Sequence, residues 1–226
     1  MRVSGTAHLL AYGLRALRRS LYFDNACDPV LAMLSIGVEK LVKISLGLIH
    51  LDDHGQWPSR DTFRNDYGHD IQGTEQELRA QLHARAGWAT WRQHFDPLLT
   101  HVDADSLWPL IVAALDRYAK QGRYYYLDAV AGAKQPDESP AHYWERVDAA
   151  AVDTSATLSQ LREAAGRPDP RAQDALNQGL NNATADSIGQ WWRMNAMAGK
   201  QRVLGEASKT IGTDQETIGQ QARDDP

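Results

Sequence analysis

A single cysteine, Cys27, stands in 226 residues, so no internal disulfide can form and no cysteine-based zinc site can be assembled. β-Branched aliphatic residues are also scarce, with 10 Val and 8 Ile against 31 Ala and 24 Leu. Strands favour the former and helices the latter, so the imbalance points to an all-α chain. Long hydrophobic runs are missing too. The longest, around residues 30–34 and 107–115, fall well short of the ~20 apolar residues that a membrane-spanning helix needs. The N-terminal apolar stretch is interrupted early by Arg15, Arg18 and Arg19 and lacks a signal-peptide core. There is no excess of positive charge, because 24 Lys and Arg stand against 29 Asp and Glu for a net charge of −5. That excludes a broadly basic nucleic-acid coat and leaves room for a local basic patch. With 42% hydrophobic and 23% charged residues, the composition is that of a folded, cytoplasmic protein without a membrane segment.

The periodicity predicts a first helix over residues 6–22. Leu10, Leu14, Leu17 and Leu21 share one face, and Arg15, Arg18 and Arg19 gather on another. Asp28 as cap and Pro29 at the first helical position predict a second helix over 28–51. Its broad apolar surface (Leu31, Leu34, Val38, Leu41, Val42, Leu48, Ile49) is broken only by a stripe of Ser35, Glu39, Lys43 and, slightly offset, His50. A helix apolar nearly all round is a buried one, so the stripe must find polar partners. Glu39 and Lys43 can satisfy each other at i,i+4, or the stripe can face a polar site on a neighbouring element.

Gly55 and Pro58 mark residues 51–58 as a loop. Ser59 can cap a third helix, on which Phe63, Tyr67 and Ile71 recur every four residues. Gly73 reads as its end, and Thr74-x-x-Glu77 as a capping box for the next helix. That helix carries Leu78, Leu82, Trp88, Trp91 and Phe95, with a bend at Gly87, and a further helix spans 105–126. A helical core over 1–132 is therefore expected, then a linker at 133–140. A helical extension over 141–204 follows, in two segments (141–165 and 171–207) separated by the Gly- and Pro-rich residues 166–170. Beyond Gly205 a frayed polar tail is expected, over 205–226, with a short echo, Thr210-Ile-Gly and Thr217-Ile-Gly.

No P-loop, dinucleotide fingerprint, nucleophile elbow or zincin motif occurs. Chemistry concentrates instead in Arg64-Asn65-Asp66-Tyr67-Gly68-His69-Asp70. On one helix Asn65 and His69 stack a turn apart, and the long Arg64 side chain swings toward them. Such a trio has what RNA cleavage needs without a metal. The imidazole moves a proton at the 2′-hydroxyl, the guanidinium offsets charge on the phosphate, and the amide orients either group.

These residues resemble the HEPN-domain ribonucleases, all-α proteins with Arg-x(4–6)-His and a polar residue directly after the Arg. Arg64-Asn65-x-x-x-His69 fits the shortest form. The preceding long helix with Gly37-Val-Glu-Lys-Leu-Val-Lys43 resembles the family's second helix, and the likeness spans residues 5–130. Chance alone supplies bare Arg–His pairs in a chain with 18 Arg and 8 His, so the Asn and the preceding helix carry the specificity. The resemblance implies an HEPN-like bundle that works as a homodimer with a composite active site. It implies a cofactor-free, metal-independent endoribonuclease that leaves a 2′,3′-cyclic phosphate and acts as a toxin or phage-defence effector, with a possible antitoxin or other defence-system partner protein. Arg64 and His69 become the catalytic pair, Asn65 their support and Glu39 a further member, with Arg15, Arg18, Arg19 and Lys43 as RNA-phosphate contacts. Ile71 stands where toxins silenced by nucleotide attachment carry Tyr, so that route of silencing lacks its acceptor.

Three other readings use the same residues. His69 can be a surface histidine bonded to Asp66 or Asp70. His69-Asp70 can belong to a metal-dependent HD phosphohydrolase, with His50 or His54 and Asp116 or Asp128 completing the ligands. Or the chain can be a non-catalytic helical module binding RNA, a nucleotide or a protein. His83 and His94, between Trp88 and Trp91, read as ordinary packed positions, and Tyr124-Tyr125-Tyr126 as helix-end aromatics.

Overall fold

Two long helices organise the molecule, and small residues let them approach their neighbours. A computed structural model describes residues 4–65, 67–135, 137–167 and 169–224. Helix α1 (Ser4–Arg19) and helix α2 (Phe23–His54, 32 residues) form an antiparallel hairpin. A β-carbon on Gly13 would come within 2.7 Å of Leu34, and one on Gly37 within 2.7 Å of Leu10. Each leucine thus lies over the other helix's glycine, which is how two leucine-rich faces close without a gap. Helix α2 starts five residues before the expected Asp28 cap, so Pro29 lies inside it. There the residue leaves the carbonyl of residue 25 without its usual donor. The helix ends at Gly55, whose φ of 69° lets its N–H close on Leu51 O at 2.9 Å.

Trp57, in the loop that follows, lies against Gly47 of α2 and fills the space a β-carbon would need. Helix α3 (Arg60–Asn65) is short, and helix α4 (Ile71–Arg85) begins only after a turn. A one-turn 3-10 segment at 86–88 leads to α5 (Arg92–Ala104), and α6 (Trp108–Lys120) follows. A second 3-10 turn at 122–124 and α7 (Tyr125–Val130) close the N-terminal part. The expected helix through Trp88 and Trp91 is corrected here. The chain turns at that point and both indoles are exposed, Trp88 lying over the Arg85 guanidinium at 4.5 Å. His83 Nε2 lies 2.9 Å from Asp103 Oδ2.

Residues 133–135 and 137–139 are loop, as their composition suggests, and Ser139 caps α8 (Pro140–Thr154) by accepting from His142 N. Ser155 ends α8 and caps α9 (Ala156–Ala165), so the expected single helix over 141–165 is two. Helix α10 (Pro170–Lys200, 31 residues) runs past α1, α2, α5, α6, α8 and α9. Trp191 of α10 stacks on Trp108 of α6, with ring centroids 4.6 Å apart, and both indole N–H groups donate to Glu75 Oε1 of α4 at 3.2 and 2.9 Å. One buried cluster runs from Ala7 to Ala222, so the C-terminal helices share the core of the N-terminal ones.

The expected frayed tail is helix α11 (Lys209–Asp224). Its Gly212 crosses α10 at Gly199, where an added β-carbon would lie 2.5–2.8 Å from α10 backbone atoms, and Gly219 faces Trp192. The seven-residue echo therefore places two glycines on one face of a docked helix. Among the described residues, eleven α-helices and no strands are present, and no single helix is long and apolar enough to cross a membrane.

Candidate functional site

Phe63, Tyr67 and Ile71 all point inward, yet they do not share a helix. Phe63 meets Trp57 (5.9 Å) and Tyr67 (5.6 Å, edge-on), Tyr67 is buried and Ile71 fully so. The helix breaks between them because the chain contains both a stop and a start. Gly68 takes φ 37°, in the left-handed region. Asp70 caps α4 by accepting from Gly73 N at 3.2 Å, while Thr74 Oγ1 donates to Asp70 O at 2.6 Å. Gly73 and Thr74, expected to end one helix and open another, both lie in the first turn of α4. The expected stacking of Asn65 on His69 is corrected with it. Asn65 is the last residue of α3 and His69 sits in the turn, so the two are not a helical turn apart.

His69 is instead held from α2. Its Nδ1 lies 3.0 Å from Glu39 Oε1, and the same oxygen accepts from Lys43 Nζ at 2.7 Å. Lys43 Nζ also donates to the carbonyl of Gly68. The stripe on α2 thus pairs within itself and also grips the turn. Glu39 and Lys43 are 14% and 19% exposed and His69 is 76% exposed. A proton on Nδ1 satisfies the carboxylate and leaves Nε2 with its lone pair toward solvent. Lys43, expected to contact RNA phosphate, directs two of its three N–H donors to Glu39 and the Gly68 carbonyl.

From the other side α6 fixes the start of α4. Buried Asp116 accepts from Ile71 N (2.8 Å) and Gln72 N (3.3 Å), and Lys120 bridges Asp70 (2.8 Å) and Asp116 (2.9 Å). The hydrogen bond from Lys120, helped by the Gly73 amide, holds the Asp70 carboxyl below its ordinary range against the effect of burial. Burial works to lower the Lys120 pKa, and its bonds to Asp70 and Asp116 outweigh that, leaving it raised. Sequence reasoning missed Lys120. The signal was the Asp116/Lys120 spacing of four at the end of a helix whose first two turns are apolar.

Arg64 and Asn65 are exposed at the end of α3, and Arg64 makes no hydrogen bond or ion pair among the described residues. Among the described residues, no hydrogen bond joins Arg64 or Asn65 to His69. Asp66, the neighbour suggested as a partner for His69, lies outside the described residues. The expected basic patch on α1 does not stay free as a unit. Arg18 is paired with Asp186 of α10 at 2.7 Å and its carbonyl accepts from Gln178, while Arg19 is exposed and Arg15 half-buried.

The HD ligand set is not assembled. His50 and His54 lie against each other late in α2 with ring centroids 4.3 Å apart and planes tilted by 56°, and Asp116 is occupied by amides and Lys120. Among the described residues, no group of three or more His, Cys, Asp or Glu is placed to hold a metal ion. Tyr124 and Tyr126, just beyond Lys120, are exposed, and Tyr125 lies under Arg117. In comparison with known proteins, no family model, curated protein or solved structure matches this chain.

Proposed function

We propose that the His69 turn is the catalytic centre of a metal-independent endoribonuclease of the HEPN type, acting in the cytoplasm as a toxin or phage-defence effector. The observation that carries the reading is the Glu39–His69 hydrogen bond. It holds the exposed His69 imidazole by Nδ1, five residues after Arg64, whose guanidinium makes no hydrogen bond or ion pair among the described residues.

In the proposed reaction, Nε2 of His69 takes the proton from a ribose 2′-hydroxyl. The 2′-oxygen bonds to the adjacent phosphorus and the bond from phosphorus to the 5′-oxygen breaks. A 2′,3′-cyclic phosphate and a 5′-hydroxyl result. Arg64 offsets the charge growing on the non-bridging phosphate oxygens. The leaving 5′-oxygen needs a proton, which a protonated His69 of a second chain supplies in a composite cleft. The resemblance to the family motivates that homodimer, and a histidine acid paired with a histidine base makes it chemically economical. Glu39 stabilises the imidazolium formed in the step, and Lys43 holds Glu39 and the Gly68 carbonyl in place.

The test is incubation of the purified chain with a defined RNA in EDTA, followed by mapping of product ends. Cyclic phosphate and 5′-hydroxyl ends are expected. Cleavage that requires a divalent ion and leaves 5′-phosphate would point to metal-assisted hydrolysis instead. RNA binding without cleavage, unchanged in His69→Ala, would make the chain a non-catalytic module.

A further inference from the structure

A cavity of about 360 Å³ opens between the start of α2, α8 and the first half of α10, at the seam where the C-terminal helices meet the N-terminal ones. Its size falls within the range of small-molecule sites. Phe23 and Trp144 stack in its wall, 4.5 Å apart and nearly parallel (7°), and Tyr22 adds a third aromatic ring. Asn181 also lines it and is only 4% exposed. The Asn181 Nδ2 group donates to Ser20 O at 2.5 Å, while its Oδ1 accepts no hydrogen bond among the described residues. The oxygen keeps contact with solvent in the cavity, so a ligand donor there takes the place of a water.

The charges on the wall have one sign. Glu145 and Asp148 line the cavity, and no Lys or Arg does among the described residues. The Tyr22 hydroxyl donates to Asp174 (3.1 Å), which brings a third carboxylate to the rim. Glu145 Oε2 also lies 3.1 Å from His142 Nδ1 outside the lining, and an anion would find carboxylates and no lining Lys or Arg among the described residues. A bare divalent ion would find aromatic rings, too much space and no set of three ligating groups among the described residues. A cation with donors on a flat or aliphatic body fits every part. Its N–H groups reach Asn181 Oδ1 and the carboxylates, and its stem packs on the aromatic faces.

We propose that this cavity binds a small organic cation, an ammonium or guanidinium group on an apolar stem. The site is remote from the His69 turn in its residues and stands independently of the nuclease reading. Agmatine is the probe, titrated calorimetrically into the full chain, with 1,4-butanediol as an uncharged control at matched ionic strength. Agmatine is expected to bind at one site per chain and butanediol to give no signal. The double variant Glu145→Gln/Asp148→Asn, on the partly exposed α8, is expected to bind agmatine at least tenfold more weakly. Asn181→Leu is expected to weaken it too, its helical signal and melting curve being checked in parallel. Unchanged affinity in the folded double variant would overturn the assignment, as would agmatine giving no more heat than butanediol.

Discussion

Two glutamates on two helices are used in the same way, with opposite results. Glu39 Oε1 accepts from Lys43 one turn along α2 and from His69 across the turn. Glu75 Oε1 accepts from Arg79 one turn along α4 (2.6 Å) and from the indoles of Trp108 and Trp191. Both are mostly buried acceptors paired with a basic residue at i+4, and they differ in the third party. Around Glu75 the added donors are buried rings that never titrate, so the carboxylate locks three helices into one core. Around Glu39 the added donor is an exposed imidazole, so the same device holds a group that can exchange protons with solvent. A satisfied buried carboxylate is therefore no mark of function by itself. What it holds, and whether that reaches water, decides.

Removing each anchor should separate the two roles. The largest stability loss is expected from Glu75→Ala, which leaves two indole N–H groups without their acceptor and the Arg79 guanidinium with Asp103 alone. It should lower the unfolding free energy by about 3–5 kcal/mol, read from the midpoint of urea denaturation. A loss below about 1 kcal/mol would mean that the core is held without this node. Next comes Gly212→Ala at the α10–α11 crossing, where the added methyl meets backbone. About 1–3 kcal/mol is expected, and an unchanged melting curve would show that α11 does not dock as described. Glu39→Gln should reverse the pattern, with stability changing by less than about 1 kcal/mol and RNA cleavage falling about tenfold or more as the imidazolium loses its counter-charge. Equal cleavage would reduce Glu39 to a structural partner.

The smallest effect concerns acid. The Asp70 carboxyl is held below its ordinary range by Lys120, so its contribution to stability is present above the unfolded value of ~3.9 and fades as pH falls through the lower folded value. Both groups are about half exposed, so the effect is small. Asp70→Asn should flatten the acid limb of the stability profile slightly, and a steeper limb would contradict the pairing.

The contrast also shows what a linear chain reveals. Leu10, Leu34 and the polar stripe on α2 were legible because helical spacing carries them, and the loop at 133–135 and 137–139 because Pro and acidic residues do. Glu39 and His69 were legible as separate candidates, but the contact between them was not. One four-residue apolar repeat through Phe63, Tyr67 and Ile71 suggested a single helix, while Gly68 and Asp70 broke it and tertiary packing kept all three side chains inward. The Glu75 node joins residues up to 116 apart in sequence, and nothing local announces such a contact. The polar tail hid a helix because its docking surface is made by missing side chains at Gly212 and Gly219, which a search for apolar residues passes over.

The central claim is the proposal that the exposed His69 imidazole, held by the Glu39 carboxylate and assisted by Arg64, cuts RNA. Initial cleavage rates in EDTA, measured for the parent chain, His69→Ala and Arg64→Ala together with their melting temperatures, test it most directly. Rates about 10²–10⁴-fold lower for His69→Ala, a comparable loss for Arg64→Ala and unchanged melting in both are expected. Three equal rates, or no cleavage by the parent chain as a dimer, would contradict it.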